Sequence, residues 1–300
     1  VNDAPRAAVV IVSYEGRETL LASLQSLRLH ATIPIETVVV DNASTDGSAD
    51  AVRATHPEVR VIVNAENVGF AEACNQGWLA SRAPFVLFLN PDAEVTPAAV
   101  ETLVALLEER IDVGAVGPRT RSSDGTIQVS TGRDLNLLAE WRQRRLVHGV
   151  AGRRPEALAE AERRHGRQHE PDWLSGSCLA VRRTALEAVS GFDEGFFLYE
   201  EDADLCRRLR EAGWRILFTP VVEVRHRLGH SMQKASRRAR LEYHRSHLRY
   251  YRKHNGPLDQ AALRLVLAVR GARDWMRGRA SGDSEAADDG AALLRLAVTR

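Results

Sequence analysis

The chain has no run of 18 or more consecutive apolar residues, so no membrane-spanning helix is expected. It has only three cysteines, Cys74, Cys178 and Cys206. An odd number with no close spacing argues against a disulfide framework or a zinc knuckle and fits a reducing, cytoplasmic setting. Val1–Pro5 carries neither a cationic start nor an apolar stretch, so no secretory signal is expected. Aromatic residues are scarce at 6 %, whereas hydrophobic residues reach 44 % and charged residues 27 % of 300 positions. That balance excludes a collagen, a coiled-coil rod and a wholly disordered chain, and leaves room for one large α/β domain with an appendage.

The net charge of +1 hides an asymmetry. Residues 225–254 carry ten Lys/Arg against one acid, Glu242, a net of +9. Residues 133–170 carry nine Arg against six acids, and the remainder holds 22 bases against 33 acids. An acidic body with a basic stretch points to an anionic partner: phosphates, lipid headgroups or nucleic acid. No helix-turn-helix, RRM or OB pattern is present, so nucleic acid is set aside.

Short β-branched runs alternate with helical spacing through the first hundred residues. Strands are expected at 7–13, 35–40, 59–64 and 85–89, with helices at 19–29, up to about Thr55, and at 69–81. Thr96 and Pro97 read as the N-cap and first position of another helix. This alternation implies an α/β fold with a mostly parallel sheet covered by helices on both faces. Further short strands are expected at 114–118, 126–130, 173–182, 214–218 and 221–225, and a helix from Glu201 to Ala212. Residues 133–170 read as a basic helical excursion or flexible insertion. The tail from Ser236 reads as helical, with Leu258, Ala262, Leu265, Val266 and Val269 on one face and a polar linker at 278–290.

In such a sheet, ligands bind beyond the carboxyl ends of the strands. Polar residues crowd those positions: Ser13, Tyr14 and Glu15; Asp41 and Asn42; Asn64, with Asn67 and Gly69 close behind; then Asn90, Pro91 and Asp92. Asp92 and Glu94 form an Asp-x-Glu pair suited to a divalent ion that also binds diphosphate. Their alternative role is a turn acid and a solvated one. Glu200, Glu201, Asp202 and Asp204 sit at a helix start, where the macrodipole favours carboxylates. The apolar wall at 196–199 beside them is also what a general base needs. His226 follows a strand among Arg225, Arg227 and Lys234, and either it or His230 could complete a metal site.

Read together, the motifs resemble the inverting glycosyltransferase family 2, which has the GT-A fold. VSY at 12–14 resembles the opening strand and nucleotide contact, and VVDNASTDGS at 39–48 the nucleobase-binding strand end. NVGFAEACNQG at 67–77 resembles the rhamnosyltransferase-like branch, and LFLNPD at 87–92 fills the place of the metal-binding Asp-x-Asp. FLYEEDADLCRR at 197–208 resembles the catalytic segment, with Gly213-Trp214 and VRHRLGHS at 224–231 completing the series. The resemblance spans about residues 8–232. Glu15 stands where many relatives have Asn. Asn90 takes the place of the first motif acid, leaving Asp92, assisted by Glu94. There is no Gln-x-x-Arg-Trp motif, unlike processive synthases.

The resemblance implies a Rossmann-like GT-A domain at 1–232, with 133–170 as an acceptor-side insertion and 233–300 as a helical basic extension. It implies that Asp41 accepts the imide N–H of uracil or thymine, and that Ser13, Tyr14, Glu15, Asn67, Gly69, Asn90 and Pro91 line the nucleotide site. Asp92 and His226 would hold Mg²⁺ or Mn²⁺, and Trp173, Gly176 and Ser177 would shape the sugar and acceptor site. Asp202 would be the base, with Glu201 beside it. The implied activity is transfer of a sugar, L-rhamnose from dTDP-rhamnose, to a glycan, lipid-linked saccharide or secondary-metabolite hydroxyl. The alternatives are a UDP-hexose or furanose donor, or a non-catalytic nucleotide-sugar-binding module. The basic tail, with Tyr243, Tyr250 and Tyr251, would either meet an anionic membrane at its inner face or pack on the domain or on a second subunit.

Overall fold

The computed structural model describes residues 4–227 and 237–299. Its first half is the expected alternation: β1 (Ala7–Ser13), α1 (Arg17–His30), β2 (Ile35–Asp41), α2 (Ser48–Thr55), β3 (Arg60–Val63), α3 (Phe70–Leu79) and β4 (Phe85–Leu89). β5 (Ala93–Val95), α4 (Ala99–Glu109), β6 (Val113–Arg121), β7 (Thr131–Gly132), α5 (Leu137–Ala151) and α6 (Pro155–His165) follow. Then come β8 (Trp173–Leu174), β9 (Cys178–Arg182), α7 (Arg183–Ala188), α8 (Glu201–Glu211) and β10 (Arg215–His226). Three tail helices close the chain: α9 (Arg237–His254), α10 (Pro257–Ser281) and α11 (Ser284–Val298).

Eight strands form one sheet in the order β3-β2-β1-β4-β9-β6-β10-β5. The β1, β2, β3 and β4 pairs and the β6–β10 pair are parallel, while β9 and β5 run antiparallel to their neighbours. The central strands are buried on both faces, which is why they read as unbroken apolar runs rather than alternating ones. Their alternate residues feed two cores. Val10, Val12, Val38, Val40, Val86 and Phe88 pack on the face of α3 and α8. Val9, Ile11, Val39, Leu87 and Leu89 pack on the face of α1 and α4.

Several expectations are corrected. Residues 126–130 form no strand beyond a single bridge at Ile127. The stretch 173–182 is two strands broken by a turn at 175–177. The two strands expected at 214–225 are one, with an irregularity between Thr219 and Glu223, where Pro220 has no N–H for the ladder. The helix expected at Thr96 begins at Ala99. Thr96 Oγ1 instead donates to the Glu223 carbonyl at 2.6 Å, tying the end of β5 to β10.

The tail departs most. Residues 278–290 are helical on both sides of Gly282 and Asp283, not a linker. Their small residues are the contact surface of an α10–α11 hairpin: a Cβ on Gly290 would lie 2.3 Å from the Trp275 backbone nitrogen. Tyr250 and Tyr251 are fully buried and belong, with Leu263, Leu267 and Leu293, to the same core as β1 and α3. They are therefore not interfacial aromatics. Arg249 and Lys253 pair with Asp193, and Lys253 and His254 with buried Asp204, so the basic helix docks on the acidic body. Of the apolar face named for the tail helix, Leu258, Leu265, Val266 and Val269 are exposed, so it does not pack on the domain.

Candidate active site

The strands end where the chain must leave a packed core, so their last residues are the first polar groups along it. Ser13 and Asp41 are register partners at the ends of β1 and β2. Asp41 Oδ1 accepts the Ser44 N–H at 2.8 Å, while its buried Oδ2 and the buried Ser13 Oγ have no partner in the protein. A buried acceptor left open at a strand end is costly unless a ligand donor meets it. Asn42 donates to the Gly69 carbonyl at 2.9 Å and accepts from Asn64 at 2.8 Å. Asn67 accepts the Gly69 N–H at 3.0 Å, so it holds its own loop. Gly69 has φ +93°, and a Cβ there would lie 2.6 Å from the Phe197 carbonyl. Phe70 N donates to that same carbonyl at 2.7 Å, so this loop seats the segment that leads into the acidic cluster at 200–204. Tyr14, the residue after β1, is exposed. The Glu15 carboxylate braces the adjoining loop, accepting from Thr45 N and Oγ1 at 2.9 Å each.

At the other end, Asp92 directly precedes β5, and His226 ends β10 opposite Ala93. His226 Nε2 lies 3.1 Å from Asp92 Oδ1 and 3.3 Å from Asn90 Nδ2. Gln128 settles the tautomer. Its amide nitrogen donates to the His226 carbonyl at 2.8 Å, so its Oε1, 3.0 Å from Nδ1, must accept the Nδ1 proton. Nε2 then faces Asp92, the arrangement of a second-sphere amide behind a ligand histidine. Nothing in the pattern around Gln128 marks it in the sequence. Glu94 does not assist Asp92, because it pairs with Arg227 at 2.5 Å. Among the described residues no group of three or more His, Cys, Asp or Glu converges on one point. A carboxylate, an imidazole nitrogen and substrate oxygens fit a hard divalent ion. His230 and Lys234 lie outside the described residues.

The acidic segment forms the third side. Asp202 Oδ2 accepts the Gly176 N–H at 2.7 Å, and Oδ1 the Ala203 N–H at 2.8 Å. Burial raises its pKa, and these two amides oppose the rise. Glu201 is raised well above the usual carboxylate range by burial and by the charge of Asp202, and its Oε2 has no partner. The pair therefore divides, with Asp202 the first of the two to ionise. Ser177 connects the ends: its carbonyl accepts the Asn90 N–H at 3.0 Å, one residue after Gly176 holds Asp202. Trp173, half-buried, covers Gly132 across the β7–β8 pair and forms the adjoining wall.

Open acceptors at the ends of β1 and β2, a carboxylate–imidazole pair and a buried carboxylate are brought to one edge of the sheet, joined by the turn at Gly176 and Ser177. The family model described as "Glycosyl transferase family 2" matches residues 8–190, and that of "Glycosyl transferase family group 2" matches residues 162–258. The chain belongs to glycosyltransferase family 2. It is 35 % identical over 239 residues to the N-acetylglucosaminyl-diphospho-decaprenol L-rhamnosyltransferase of Mycobacterium tuberculosis, covering 74 % of this chain and 76 % of that protein. It is 30 % identical to the pre-mycofactocin glycosyltransferase of the same species, over 70 % of this chain and 40 % of that one. The fold matches a mannosyltransferase of Pyrobaculum calidifontis solved with GDP-Man and Mn²⁺, with TM-score 0.59, 20 % identity and coverage of 98 % and 86 % of the two chains. That is the GT-A fold, and the protein is a glycosyltransferase enzyme.

Sequence reasoning on the glycosyltransferase missed the polar group behind Asp202. His247 of α9 is buried between Glu200, 2.5 Å from Nδ1, and Glu140 of α5, 3.2 Å from Nε2. The two carboxylates outweigh burial and lift its pKa to about 9. Because the folded value lies above the unfolded one of about 6.5, this stabilisation is complete below that pH and is lost as pH rises through about 9. The thermal midpoint should fall between pH 7 and 9.5, by the equivalent of about 2 kcal/mol. In His247→Gln that slope should flatten. A wild-type midpoint that holds level across the range would refute the charged pairing.

Proposed function

We propose that the enzyme transfers L-rhamnose from dTDP-rhamnose to a hydroxyl of a lipid-linked saccharide in one inverting displacement. The observation that carries this reading is identity at 35 % across most of the chain to a rhamnosyltransferase whose name specifies a diphospho-decaprenol acceptor. The buried, unpartnered Asp41 Oδ2 supports the donor base, since it would accept the N3–H of thymine or uracil. Calorimetric titration should therefore rank dTDP and UDP above GDP, and GDP binding tighter than both would overturn the assignment.

In the mechanism, Ser13, Asp41 and the Asn67–Gly69 loop bind and orient the nucleoside. Asp92 and His226 would hold Mg²⁺ or Mn²⁺, which when bound neutralises charge on the diphosphate leaving group. Gln128 keeps His226 in the tautomer that leaves Nε2 free. Asp202 takes the proton from the acceptor hydroxyl as that oxygen attacks the anomeric carbon from the face opposite the leaving group. Gly176 and Ala203 orient its oxygens. No covalent sugar–enzyme intermediate is required, and buried Cys74, Cys178 and Cys206 take no part. Trp173, Gly176, Ser177 and the α5–α6 insertion at 133–170 form the acceptor side. A screen of nucleotide sugars, read as nucleotide release with metal present, tests the reading. Turnover of a UDP-hexose or furanose donor in place of dTDP-rhamnose would redirect it.

The membrane contact moves from the tyrosines to α10. Leu258, Leu265, Val269 and Met276 are all more than half exposed. At 100° per residue they fall within an arc of about 40°, opposite buried Leu263 and Leu267. Arg273 and Arg279 flank this stripe, which suits an anionic lipid surface rather than a second basic copy. Among the described residues no helix is long and apolar enough to cross a membrane. The full chain should co-sediment with phosphatidylglycerol vesicles at low salt and be released by added salt. Leu265→Glu with Val269→Glu should abolish binding. Absence of vesicle binding, with a dimer by sedimentation equilibrium that the same variant breaks, would assign the stripe to a second subunit.

A further inference from the structure

We propose that the groove between α5 and α6 is an oxyanion site that takes the phosphate or diphosphate of an ester ligand, apart from the donor site at the strand ends.

The two helices are joined by only three residues, 152–154, and touch beside that link. A Cβ on Gly149 would lie 2.5 Å from the Ala157 Cβ and 2.9 Å from Arg154 Nη2, so the close approach needs glycine there. Farther along, the helices leave a groove of about 450 Å³ that extends to Trp141 and Arg164. Leu146 lines it and belongs to the small core with Ile127, Val150 and Ala161, which holds α5 and α6 together. On α5, Trp141, Arg142 and Arg145 reach the groove together because residues three and four apart share a helix face.

The charges here are not those of a fully paired surface. Arg164 pairs with Glu160 one turn away. Among the described residues, Arg142, Arg145 and Arg154 have no carboxylate partner. Arg154 donates to the Arg145 carbonyl at 3.3 Å, and the Arg145 guanidinium carbon lies 4.8 Å from the centre of the Trp141 ring. Stacking uses the flat face of the guanidinium and leaves the N–H donors at its edge free. The lining carries four arginines, Arg142, Arg145, Arg154 and Arg164, against Glu156 and Glu160, an excess of two positive charges. The start of α6 adds to this excess. It begins at Pro155 with no side-chain cap, and its first-turn residues Glu156 and Ala157 line the same groove. Open N–H groups and the positive end of the helix dipole favour an anion, while the Glu156 carboxylate opposes one. Phosphate oxygens match the fork of a guanidinium in charge and geometry, and a diphosphate can engage more than one fork at once. Trp141 and Leu138, one turn apart on α5, are both more than half exposed and offer apolar surface to the substituent of such an ester.

Pyrophosphate is the soluble probe, titrated by calorimetry into the metal-free full chain. Arg142→Gln with Arg145→Gln should weaken its binding at least about tenfold, because two charge-assisted donors are lost. Glu156→Gln should tighten it about two- to fourfold by removing an exposed opposing charge. Pyrophosphate held only at the donor site would be indifferent to both changes. Co-sedimentation with phosphatidylglycerol vesicles identifies the source of the phosphate. Loss of vesicle binding in the arginine double variant assigns the groove to lipid headgroups. Unchanged vesicle binding together with weakened pyrophosphate binding assigns it to an individual diphosphate ligand. If neither pyrophosphate affinity nor vesicle binding changes, the arginines are a solvated surface and the proposal fails. Both replaced side chains are exposed, so the fold should survive. If the double variant does not fold, Glu156→Gln decides, and unchanged binding of both probes refutes the site.

Discussion

Asp202→Asn should lower sugar transfer by about 10²- to 10⁴-fold, the span of a positioned general base, while nucleotide affinity and thermal stability stay near wild type. The substitution is nearly isosteric. Asn can still accept the Gly176 N–H through its carbonyl oxygen, at the loss of the local Ala203 N–H bond, but it cannot take a proton from an acceptor hydroxyl. Glu201→Gln should cost far less, because burial and the charge of its neighbour both push Glu201 toward the protonated form that Gln imitates. The two variants, assayed side by side for transfer and by calorimetry for nucleotide binding, therefore give opposite outcomes for adjacent acids. If Asp202→Asn kept most activity and Glu201→Gln lost it, the roles would be exchanged.

Chelation should have an effect of similar size. Excess EDTA is expected to abolish transfer, with Mg²⁺ or Mn²⁺ restoring it. The protein offers two ligands, Asp92 and His226, so affinity for the ion should depend strongly on the diphosphate that completes its coordination. Asp92→Ala should then weaken donor binding when metal is present and change it little when metal is removed. Measuring donor affinity for both proteins in both conditions isolates the interaction, since only a shared ligand role makes the two losses non-additive. Full activity in excess chelator would sink the assignment.

The readable parts of the fold share one property: their signal is local. β1, β2 and β4 stand out because strands buried on both faces must be apolar at every position over a short length. The polar residues at their ends stand out because a strand leaving such a core meets solvent or ligand there. Asp41, Asp92 and His226 stand out as candidates in this way, and Asp202 as an acid at a helix start beside an apolar wall, aided by ordered resemblance to a family.

What escaped depends on partners distant in sequence. Glu94 looked like a second metal acid two residues from Asp92, yet the β5–β10 pairing puts it on Arg227. Gln128 is one polar residue in an irregular stretch, and only the return of β10 makes it the anchor of His226. Tyr250 and Tyr251 beside many arginines left a membrane-facing edge and packing on the domain both open, because composition cannot tell a buried tyrosine from an interfacial one. The small residues at 278–290 read as a linker because Gly, Ala and Ser mark both flexible chain and tight helix contacts.

The amino-acid pattern alone determined the layered α/β architecture, the edge of the sheet that carries the chemistry and the family, since each follows from short-range periodicity or ordered motifs. Only the tertiary structure decided how the charges are paired. It sent the basic tail to the acidic body, divided Glu201 from Asp202 by the amides each could reach, and set His247 between Glu140 and Glu200. A charge's partner depends on which segments meet in space and how much water they exclude, and neither is written in the neighbouring residues.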